Sequence, residues 1–331
     1  MAAAKLTSGV LDIDLRAVTD NICRRLVDIV VKDQRRRGLV VALSGGIDSS
    51  VCAALSVRAL GPGKVLGLLL PEKDSSVASE DLGQRVAEHL GIEHIKQNIA
   101  PTLEAIGCYR WRDEAIQTVF PDYKNDWKNK LVIAGGIDGG FNYFKLVVQT
   151  PSGTRHEKRL DHKQYMQIVA ATNFKQRIRK TIEYFHADRL NYAVVGTPNR
   201  LEYDQGFFVK NGDGSADVKP IAHLYKTQVY ALARHLGLPE VVCNSKPTTD
   251  TYSLPQGQDE FYFALPYQQM DIALWAHNHG MAASELADYF GISGEQASYI
   301  YQDIEKKRST TRYLHSKAVL IEKVNEISPF S

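Results

Sequence analysis

The stretch Leu39-Val-Val-Ala-Leu-Ser-Gly-Gly-Ile-Asp-Ser-Ser50 decides the fold of this chain. Its five apolar residues predict a short buried strand, Ser44-Gly45-Gly46 break that strand, and the residues from Ser49 onward have the composition of a helix. A strand, a turn of small residues and a helix N-terminus together form an anion-binding site. Glycine lets the backbone approach the ligand, and the helix dipole adds partial positive charge.

Asp48 makes this loop unusual as an anion site. A carboxylate beside bound phosphates repels them unless a divalent cation lies between the two. The stretch therefore predicts a phosphate-binding loop that supplies its own metal ligand, and it lacks the Gly-x-x-x-x-Gly-Lys-Ser/Thr pattern of the Walker loop. The alternative is an ordinary joint between strand and helix whose glycines serve packing alone, which gives the hydroxyls and the carboxylate no role.

Further strands and helices alternate on both sides of this loop. Lys64-Val-Leu-Gly-Leu-Leu-Leu70, His94-Ile-Lys-Gln-Asn-Ile99 and Tyr192-Ala-Val-Val195 read as strands, and a helix begins near Ser79. Continuous apolar runs are typical of parallel strands that are covered on both faces. The pattern predicts an α/β fold, a doubly wound and mostly parallel sheet with helices on both faces and ligands at the carboxyl ends of the strands.

Residues 101–165 interrupt the alternation, and we interpret them as an excursion inserted into a single domain of residues 1–331. A hairpin is predicted from Tyr143 to Leu160, around Pro151-Ser-Gly153. We expect the excursion to form a lid or wall over the ligand site, and the alternative is a satellite core under a long loop. The rings on which both interpretations depend are Tyr109, Trp111, Phe120, Tyr123, Trp127, Phe141, Tyr143 and Phe144.

Composition narrows the class of protein. The chain has 331 residues, a net charge of +2 and 44% hydrophobic residues, so it supports a real core and has no global attraction to nucleic acid or anionic membrane. No apolar run approaches the length of a membrane span, and Met1-Ala-Ala-Ala-Lys5 is not followed by the apolar region of a signal peptide. Four scattered cysteines predict buried free thiols. We expect a cytoplasmic protein.

Two polar clusters follow the excursion. Asn173, Arg177 and, more loosely, Arg179 fall near one face of a helix by their spacing. The loop that follows Gly206 then brings Lys210, Asp213 and Asp217 close together along the chain. Turn formation alone needs the glycines of this loop but not its charges, so we favour a functional role for it.

The loop Ser44-Gly-Gly-Ile-Asp-Ser49 resembles the phosphate-binding loop of the ATP pyrophosphatase superfamily, and a longer series resembles the NAD synthetase family. From Thr197 to Thr248 the spacing fits that family without a gap. The residues that carry the second resemblance are Asn173, Arg177, Arg179, Gly196-Thr197, Glu202, Gly206-Phe-Phe-Val-Lys210, Gly212-Asp-Gly-Ser-Ala-Asp217, Lys226 and Pro247-Thr248.

The resemblance implies an adenine nucleotide α-hydrolase-like fold and an ammonia-dependent, AMP-forming ligase. ATP adenylates the nicotinate carboxylate of deamido-NAD, pyrophosphate leaves, and ammonia displaces AMP. By the same resemblance Asp48, Lys226 and Thr248 are catalytic, and Asp48 and Glu202 bind Mg²⁺. The implied ATP-binding residues are Ala42, Leu43, Ser44, Gly45, Gly46, Ile47, Asp48, Ser49, Arg179, Thr197, Lys226 and Thr248. The implied deamido-NAD-binding residues are Asn173, Arg177, Lys210 and Asp217.

The resemblance also implies a homodimer, and without a preceding glutaminase domain it implies free ammonia as the nitrogen source unless a partner supplies it. The chain departs from the family at Pro198-Asn199, where an Asp-His pair is frequent. The basic segment that closes over substrate in the family has only loose counterparts here, Lys306-Lys-Arg308 and His315-Ser-Lys317. These departures leave open a different carboxylic acid, amidated by the same chemistry in a specialised pathway.

A rival function comes from the C-terminal part, about residues 258–331, which we expect to be helical. Residues 284–301 resemble a helix-turn-helix, with a turn at Gly291 and a cap at Ser293. A DNA-binding or tRNA-modifying protein would use such a unit. The second helix opens with Glu295 and Gln296 and has few cations, whereas phosphate contacts need Lys or Arg. We therefore favour a plain helical hairpin.

Overall fold

The computed structural model of the chain describes residues 6–7, 9–134, 143–245, 247, 251–257, 262–263 and 265–325. Its strands, numbered in chain order, are β1 Leu39–Ala42, β2 Val65–Leu69, β3 Glu93–Lys96, β4 Lys128–Ala134, β5 Tyr143–Gln149, β6 Arg155–Arg159 and β7 Ala193–Val194. Its α-helices are α1 Leu15–Val27, α2 Ile47–Leu60, α3 Val77–His89, α4 Ala100–Ala105, α5 Cys108–Val119, α6 His162–Leu190, α7 Arg200–Gln205, α8 Lys226–His235, α9 Glu240–Cys243, α10 Tyr267–Asn278, α11 Ala283–Phe290 and α12 Gly294–Thr311.

The central sheet is parallel, with strand order β3-β2-β1-β7. β1 pairs with β2 on one side and with β7 on the other, so that Leu39 lies opposite both Val65 and Ala193. Because the strand order reverses at β1, the carboxyl end of this strand is the switch point at which open α/β sheets bind ligands. The predicted doubly wound sheet is confirmed, and the chain passes from β1 directly into the loop that starts at Ser44.

Alternation along β1 explains why helices cover both faces of the sheet. Leu39 and Val41 pack with side chains of α1, α2 and α8, whereas Val40 packs with side chains of α4, α5 and α6. Successive residues of a strand point to opposite faces, so an apolar run without polar interruptions requires cover on both sides. Full burial of each such side chain contributes about 1.5–3 kcal/mol.

The excursion is more ordered than the sequence indicates. The predicted hairpin is confirmed as β5 and β6, but β4 pairs with β5 to complete a three-stranded antiparallel sheet, and α4 and α5 precede it. Ile116, Leu131, Leu146 and Ile168 form a separate apolar core between this small sheet and the helices α5 and α6. The excursion is therefore a small packed layer with its own interior.

Four of the eight rings named for the excursion belong to apolar cores. Phe120 and Tyr123 are buried in the core of the small sheet, where Trp127 packs against them, and Tyr109 is buried beneath the parallel sheet. Phe120, Tyr123 and Trp127 thus belong to the satellite core that was the alternative to a lid, whereas Tyr109 belongs to a core of the parallel sheet. Phe141 lies outside the described residues. Phe144 differs from these core residues because it lines a cavity at the carboxyl ends of the parallel strands.

Buried charges join the excursion to the loop that follows β2. Arg112 on α5 donates from Nη1 to Asp74 Oδ2 at 2.6 Å and from Nε to Asp113 Oδ1 at 2.8 Å. Lys175 on α6, only 1% exposed, lies 2.7 Å from Asp74 Oδ2 and 3.0 Å from Glu72 Oε1. Burial by itself raises the pKa of Asp74, but Lys175 and Arg112 outweigh burial and hold this pKa below its usual value.

The C-terminal helices form the hairpin predicted for residues 284–301. α11 ends at Gly291, which has a φ of 67°, and Ser293 caps α12 by accepting a hydrogen bond from the backbone N–H of Gln296. α12 buries Ile300 and Ile304 in an apolar core shared with α10 and α11. The helix that would read DNA in a helix-turn-helix thus uses one face for packing.

The composition predicted no membrane span and buried free cysteines, and the structure bears on both. Within the residues described above, no helix is both long and apolar enough to cross a membrane. All four cysteines are free thiols; Cys52, Cys108 and Cys243 are buried, and Cys23 is half-buried. Burial raises the pKa of Cys52 well above its usual value, so its thiol stays protonated and unreactive.

A buried carboxylate fixes the start of α8. Asp271 on α10 is fully buried, and its Oδ2 accepts hydrogen bonds from the backbone N–H and the hydroxyl of Thr227, both at 2.7 Å. Burial raises the pKa of Asp271 to about 6, although these hydrogen bonds oppose the shift. Asp271 thereby anchors the helix turn that also carries Lys226.

We expect ionisation of Asp271 to cost stability as the pH rises. The pKa of about 6 in the folded chain lies above the usual value of about 3.9, so the folded state binds this proton more tightly and loses stability as the pH rises from about 4 to about 6. Asp271→Asn keeps an acceptor for Thr227, and it should gain about 1–2 kcal/mol relative to wild type between pH 5 and pH 8. Urea unfolding at pH 5 and pH 8 gives the free energy of unfolding of both proteins. The same difference between variant and wild type at the two pH values would contradict the prediction.

Candidate active site

A cavity of about 730 Å³ lies at the carboxyl ends of β1 and β2. It is bounded by the loop after β1, by one face of α6, by residues 206–210 and by the chain that leaves α12. Every implied ATP-binding residue that the structure describes lines this cavity, namely Ala42, Leu43, Ser44, Gly45, Gly46, Ile47, Asp48, Ser49, Arg179, Thr197 and Lys226. The topology of the sheet therefore brings residues from four segments of the chain to one place, namely the loop after β1, α6, the chain after β7 and the start of α8.

The loop after β1 depends on its small residues. Gly45 has a φ of 76°, and a Cβ at this position would collide with the backbone oxygen of Ser79. Ser49 Oγ donates to Gly46 O at 3.0 Å and accepts from Ser44 N at 3.3 Å, so the hydroxyl holds the loop against the first turn of α2. The loop thus presents a helix N-terminus to the cavity, as a phosphate-binding loop does.

Asp48 lies in the first turn of α2 and has two side-chain partners on distant segments. Its Oδ1 accepts a hydrogen bond from Asn199 Nδ2 at 3.2 Å, and its Oδ2 forms an ion pair with Lys226 Nζ. Lys226 is 2% exposed. Burial by itself lowers the pKa of Lys226, but the carboxylates of Asp48 and Glu202 outweigh burial and raise it above its usual value. The cavity therefore contains a permanently charged ammonium beside the phosphate loop.

Glu202 is the second implied metal ligand, and it lines the cavity together with Asp48. Its Oε2 accepts a hydrogen bond from the backbone N–H of Asn199 at 3.2 Å. Among the residues that the structure describes, no group of three or more potential metal ligands occurs. Mg²⁺ is usually bound by one or two carboxylates together with substrate phosphates and water. The pair of carboxylates beside the loop after β1 fits this donor set.

α6 contributes the cations that the sequence placed on one helix face. Asn173, Arg177 and Arg179 all line the cavity. Arg177 Nε donates to Lys210 O at 3.3 Å, and Arg179 Nε donates to Leu70 O at 3.2 Å. A guanidinium carries five N–H donors, so each arginine keeps donors for a phosphate or a carboxylate.

The structure separates the charges of the loop after Gly206. Lys210 lines the cavity, where its Nζ donates to the backbone oxygen of Tyr313 at 2.7 Å. Asp217, implied to bind substrate, is outside the cavity lining, and its carboxylate accepts hydrogen bonds from Val194 N at 2.7 Å and from the Tyr184 hydroxyl at 3.3 Å. The loop turns back toward the sheet before it reaches residue 217. Asp217 therefore holds β7 through the hydrogen bond from Val194 N.

Thr248 lies outside the described residues, so its implied role stays a prediction. Its neighbours Pro247, Thr251 and Tyr252 line the cavity. The backbone oxygen of Thr251 accepts a hydrogen bond from the buried Lys175 Nζ at 2.7 Å. Thr251 is thus attached to α6 beside the candidate site.

An aromatic pair forms one wall of the cavity. Phe144 on β5 and Tyr165 on α6 are stacked, with ring centroids 4.0 Å apart and an angle of 16° between the ring planes, and both line the cavity. Phe144 belongs to the excursion, which therefore reaches the site through this residue. The sequence predicted the contribution of the excursion but could not distinguish Phe144 from the rings that enter the core.

Sequence reasoning missed one charged pair at the site. Lys180 and Glu183 on α6 are both buried and both line the cavity, and Lys180 Nζ donates to Glu183 Oε2 at 2.7 Å. Burial raises the pKa of Glu183, with Lys180 opposing the shift, and burial also raises the pKa of Asp213 nearby. A lysine and a glutamate three positions apart are typical of a solvated helix face, so no local signal marked them.

Two of the loose basic candidates near the C-terminus, Lys307 and Arg308, form ion pairs within the fold. Arg308 donates to both carboxylate oxygens of Asp204, at 2.7 and 2.8 Å, and Lys307 pairs with Asp303 at 2.6 Å. The contact of Arg308 joins α12 to α7, whereas the pair of Lys307 and Asp303 lies within α12. The cavity is instead lined here by Thr310, Thr311, Tyr313 and Leu314.

Comparison with protein families and known sequences gives consistent results. The family model described as NAD synthase matches residues 18–125 and 140–312. The protein named NH(3)-dependent NAD(+) synthetase in Mesorhizobium japonicum is 55% identical over 317 residues, which cover 96% of this chain and 99% of that protein. The protein of the same name in Thermotoga maritima is 36% identical, covering 73% of this chain and 80% of that protein.

Solved structures agree on the fold. The NH3-dependent NAD synthetase from Campylobacter jejuni has a TM-score of 0.61 at 22% identity, with 94% of this chain and 100% of that chain covered. The NMN synthetase from Francisella tularensis has a TM-score of 0.64 at 21% identity, with 93% of this chain and 99% of that chain covered. At this identity the likeness concerns the architecture alone.

Proposed function

The chain belongs to the NAD synthase family, and we infer from this premise that it is an ATP-dependent ligase that forms NAD⁺ from deamido-NAD and ammonia. The observation that carries the inference is the 55% identity to an NH(3)-dependent NAD(+) synthetase along nearly the whole chain. The cavity supports it, because the phosphate-binding loop, the cations of α6 and Lys226 all meet there. The alternative of a different carboxylic acid is not favoured.

The geometry of the site suits an adenylation. The nicotinate carboxylate attacks the α-phosphorus of ATP and pyrophosphate leaves; ammonia then attacks the acyl carbon and AMP leaves with the bonding electrons. The first step brings two anions together, so fixed positive charge must screen them and stabilise the leaving pyrophosphate. Lys226 supplies a point charge at the phosphate loop, and Arg177 and Lys210 provide donors for the oxyanions of the acid.

We assign Asp48 and Glu202 to a Mg²⁺ site shared with the phosphates of ATP. The support is the fit of two carboxylates beside the phosphate loop to the usual donor set of this ion. When bound, the ion neutralises phosphate charge and stabilises the leaving pyrophosphate. In this structure Lys226 forms an ion pair with one carboxylate oxygen of Asp48. We expect the ammonium of Lys226 to turn to the phosphates when the ion binds Asp48.

Product analysis tests the function directly. With ATP, Mg²⁺, ammonium and deamido-NAD, the protein should form NAD⁺, AMP and pyrophosphate in equal amounts. Formation of ADP and orthophosphate would contradict adenylation. ATP–pyrophosphate exchange, measured across a panel of carboxylic acids, tests the identity of the acid. Exchange with another acid but not with deamido-NAD would favour the alternative substrate.

We further propose that the wall formed by Phe144 and Tyr165 helps to bind the acid. Phe144→Ala should raise the KM for deamido-NAD about 3- to 10-fold and leave the KM for ATP within about 2-fold, because a stacked aromatic pair contributes about 0.5–1.5 kcal/mol beyond its buried area. Steady-state kinetics with each substrate varied in turn measures both values.

Trp127→Ala is the matched control for this variant, since Trp127 belongs to the excursion, is outside the cavity lining and packs in the small core. It should lower the thermal stability without a selective change in either KM. Equal effects of the two substitutions on the KM for deamido-NAD would show that the excursion is only a scaffold.

We also propose that the enzyme acts as a homodimer, as the family resemblance implies, and that it works in the cytoplasm, as its composition indicates. The four free thiols support a reducing compartment. Sedimentation equilibrium at working concentration should give twice the chain mass of 37.0 kDa. A fully active monomer under the same conditions would refute the dimer.

A further inference from the structure

Asn199 occupies a position between the two carboxylates of the candidate metal site. It is 1% exposed and stays behind the cavity, outside the lining. Its Nδ2 donates to Asp48 Oδ1 at 3.2 Å, and its backbone N–H donates to Glu202 Oε2 at 3.2 Å. Its Oδ1 accepts from the backbone N–H groups of Leu201 and Glu202, at 3.0 and 3.2 Å. One residue thus contacts both candidate ligands.

The contact with Asp48 matters most once substrate is bound. The other side-chain partner of Asp48 in the described structure is Lys226, which we expect to turn to the phosphates during adenylation. Asn199 then remains as the side chain that fixes the orientation of Asp48. A neutral amide suits this task, because it donates a hydrogen bond to one oxygen without competing with a cation for the other.

We propose that Asn199 is a positioning residue that orients Asp48 and Glu202 as one Mg²⁺-binding unit. The inference rests on the proposed metal site. Capping of α7 alone does not explain an asparagine at this position, since serine and aspartate cap helices about equally well. Neither of them can reproduce the hydrogen bond from Asn199 Nδ2 to Asp48: the serine side chain is shorter, and aspartate places a second carboxylate against the first.

Two variants separate the positioning role from the capping role. Asn199→Ser and Asn199→Asp both retain a good N-cap. The serine variant should therefore keep most of the thermal stability, whereas the aspartate variant should lose some of it through repulsion between the new carboxylate and Asp48. Loss of a hydrogen bond to a metal ligand typically costs about 10- to 100-fold in metal affinity, so both should weaken Mn²⁺ binding by about that factor in the presence of ATP. Titration followed by the electron paramagnetic resonance signal of free Mn²⁺ measures this affinity without turnover.

ATP binding in the presence of a chelator provides the second measurement, and both variants should stay within about 2-fold of wild type because the phosphate loop is unchanged. Ser293→Ala removes the N-cap of α12, far along the chain from the site, and should lower the melting temperature without changing Mn²⁺ affinity.

The role of Asn199, the metal site and the ligase function are each contradicted by a different result. Wild-type affinity for Mn²⁺ in Asn199→Ser, or in Asn199→Asp if the serine variant does not fold, would reduce Asn199 to a helix cap and overturn the proposal. Absence of ATP-dependent Mn²⁺ binding in the wild-type protein would instead overturn the metal site itself. Pyrophosphate release by that same wild-type protein would show that the proposed ligase function survives.

Discussion

Asp48→Asn is expected to lower kcat for pyrophosphate release about 10²- to 10³-fold. The substitution removes the charge of a proposed metal ligand at the phosphate loop while keeping its size, and the loss of one such transition-state contact typically costs about 2–4 kcal/mol. Deamido-NAD and ATP at saturating concentration, with Mg²⁺ in excess, give kcat directly. Turnover within about 3-fold of wild type would remove Asp48 from the catalytic machinery.

The same substitution should also destabilise the fold, which the sequence does not indicate. Lys226 is buried, and its ammonium loses its ion-pair partner when Asp48 becomes neutral. Breaking a buried ion pair by removing one partner costs about 3–5 kcal/mol, because the remaining charge is left without compensation. Differential scanning calorimetry without ligands measures this effect separately from catalysis.

A second substitution distinguishes the two effects. Asp48→Asn combined with Lys226→Met removes both charges, so it should recover much of the lost stability while activity stays absent. Asp81→Asn is a matched control, because it breaks the exposed ion pair with Arg85 on α3 and should change neither stability nor kcat appreciably. If the double substitution regained activity together with stability, misfolding would explain the loss in the single variant.

Lys175→Met is expected to lower the free energy of unfolding by about 3–5 kcal/mol. The lysine is buried, and its Nζ contacts Glu72, Asp74 and the backbone oxygen of Thr251 at 2.7 to 3.0 Å. Methionine fills the volume but leaves Glu72 buried without its ammonium and Asp74 with Arg112 alone. Urea unfolding of the two proteins gives the difference.

Activity should fall in this variant as well, because Lys175 holds Thr251, which lines the cavity, against α6. We expect a lower kcat with a higher KM for ATP, since residues on both sides of Thr248 line the cavity. Lys163→Met, on the same helix but exposed, is the control and should leave stability within about 0.5 kcal/mol of wild type. Adding Glu72→Gln to Lys175→Met should recover part of the stability; no recovery would show that the charge of Glu72 is not the cause.

Much of the fold was accessible from the sequence for local reasons. Continuous apolar runs predicted buried parallel strands, and the small residues from Ser44 to Gly46 predicted a phosphate-binding loop at the end of the first of them. The structure confirms the strands and the position of the loop at a helix N-terminus, because both are specified by neighbouring residues, and phosphate binding by this loop stays a prediction. The sequence did not predict β4, because Lys128–Ala134 mixes charged and apolar residues, as a strand at the edge of a small sheet can.

The sequence by itself determined the parallel strands and the loop of small residues that follows the first of them, because each depends on positions close together in the chain. Only the tertiary structure decided which side chains of the candidate site contact one another. Asp48 contacts Asn199 across 151 positions and Lys226 across 178 positions, whereas Asp217, in the same short loop as Lys210, turns away to hold β7. The physical reason is that side-chain pairing depends on how strands and helices pack, and a linear pattern records periodicity but not the distance between segments.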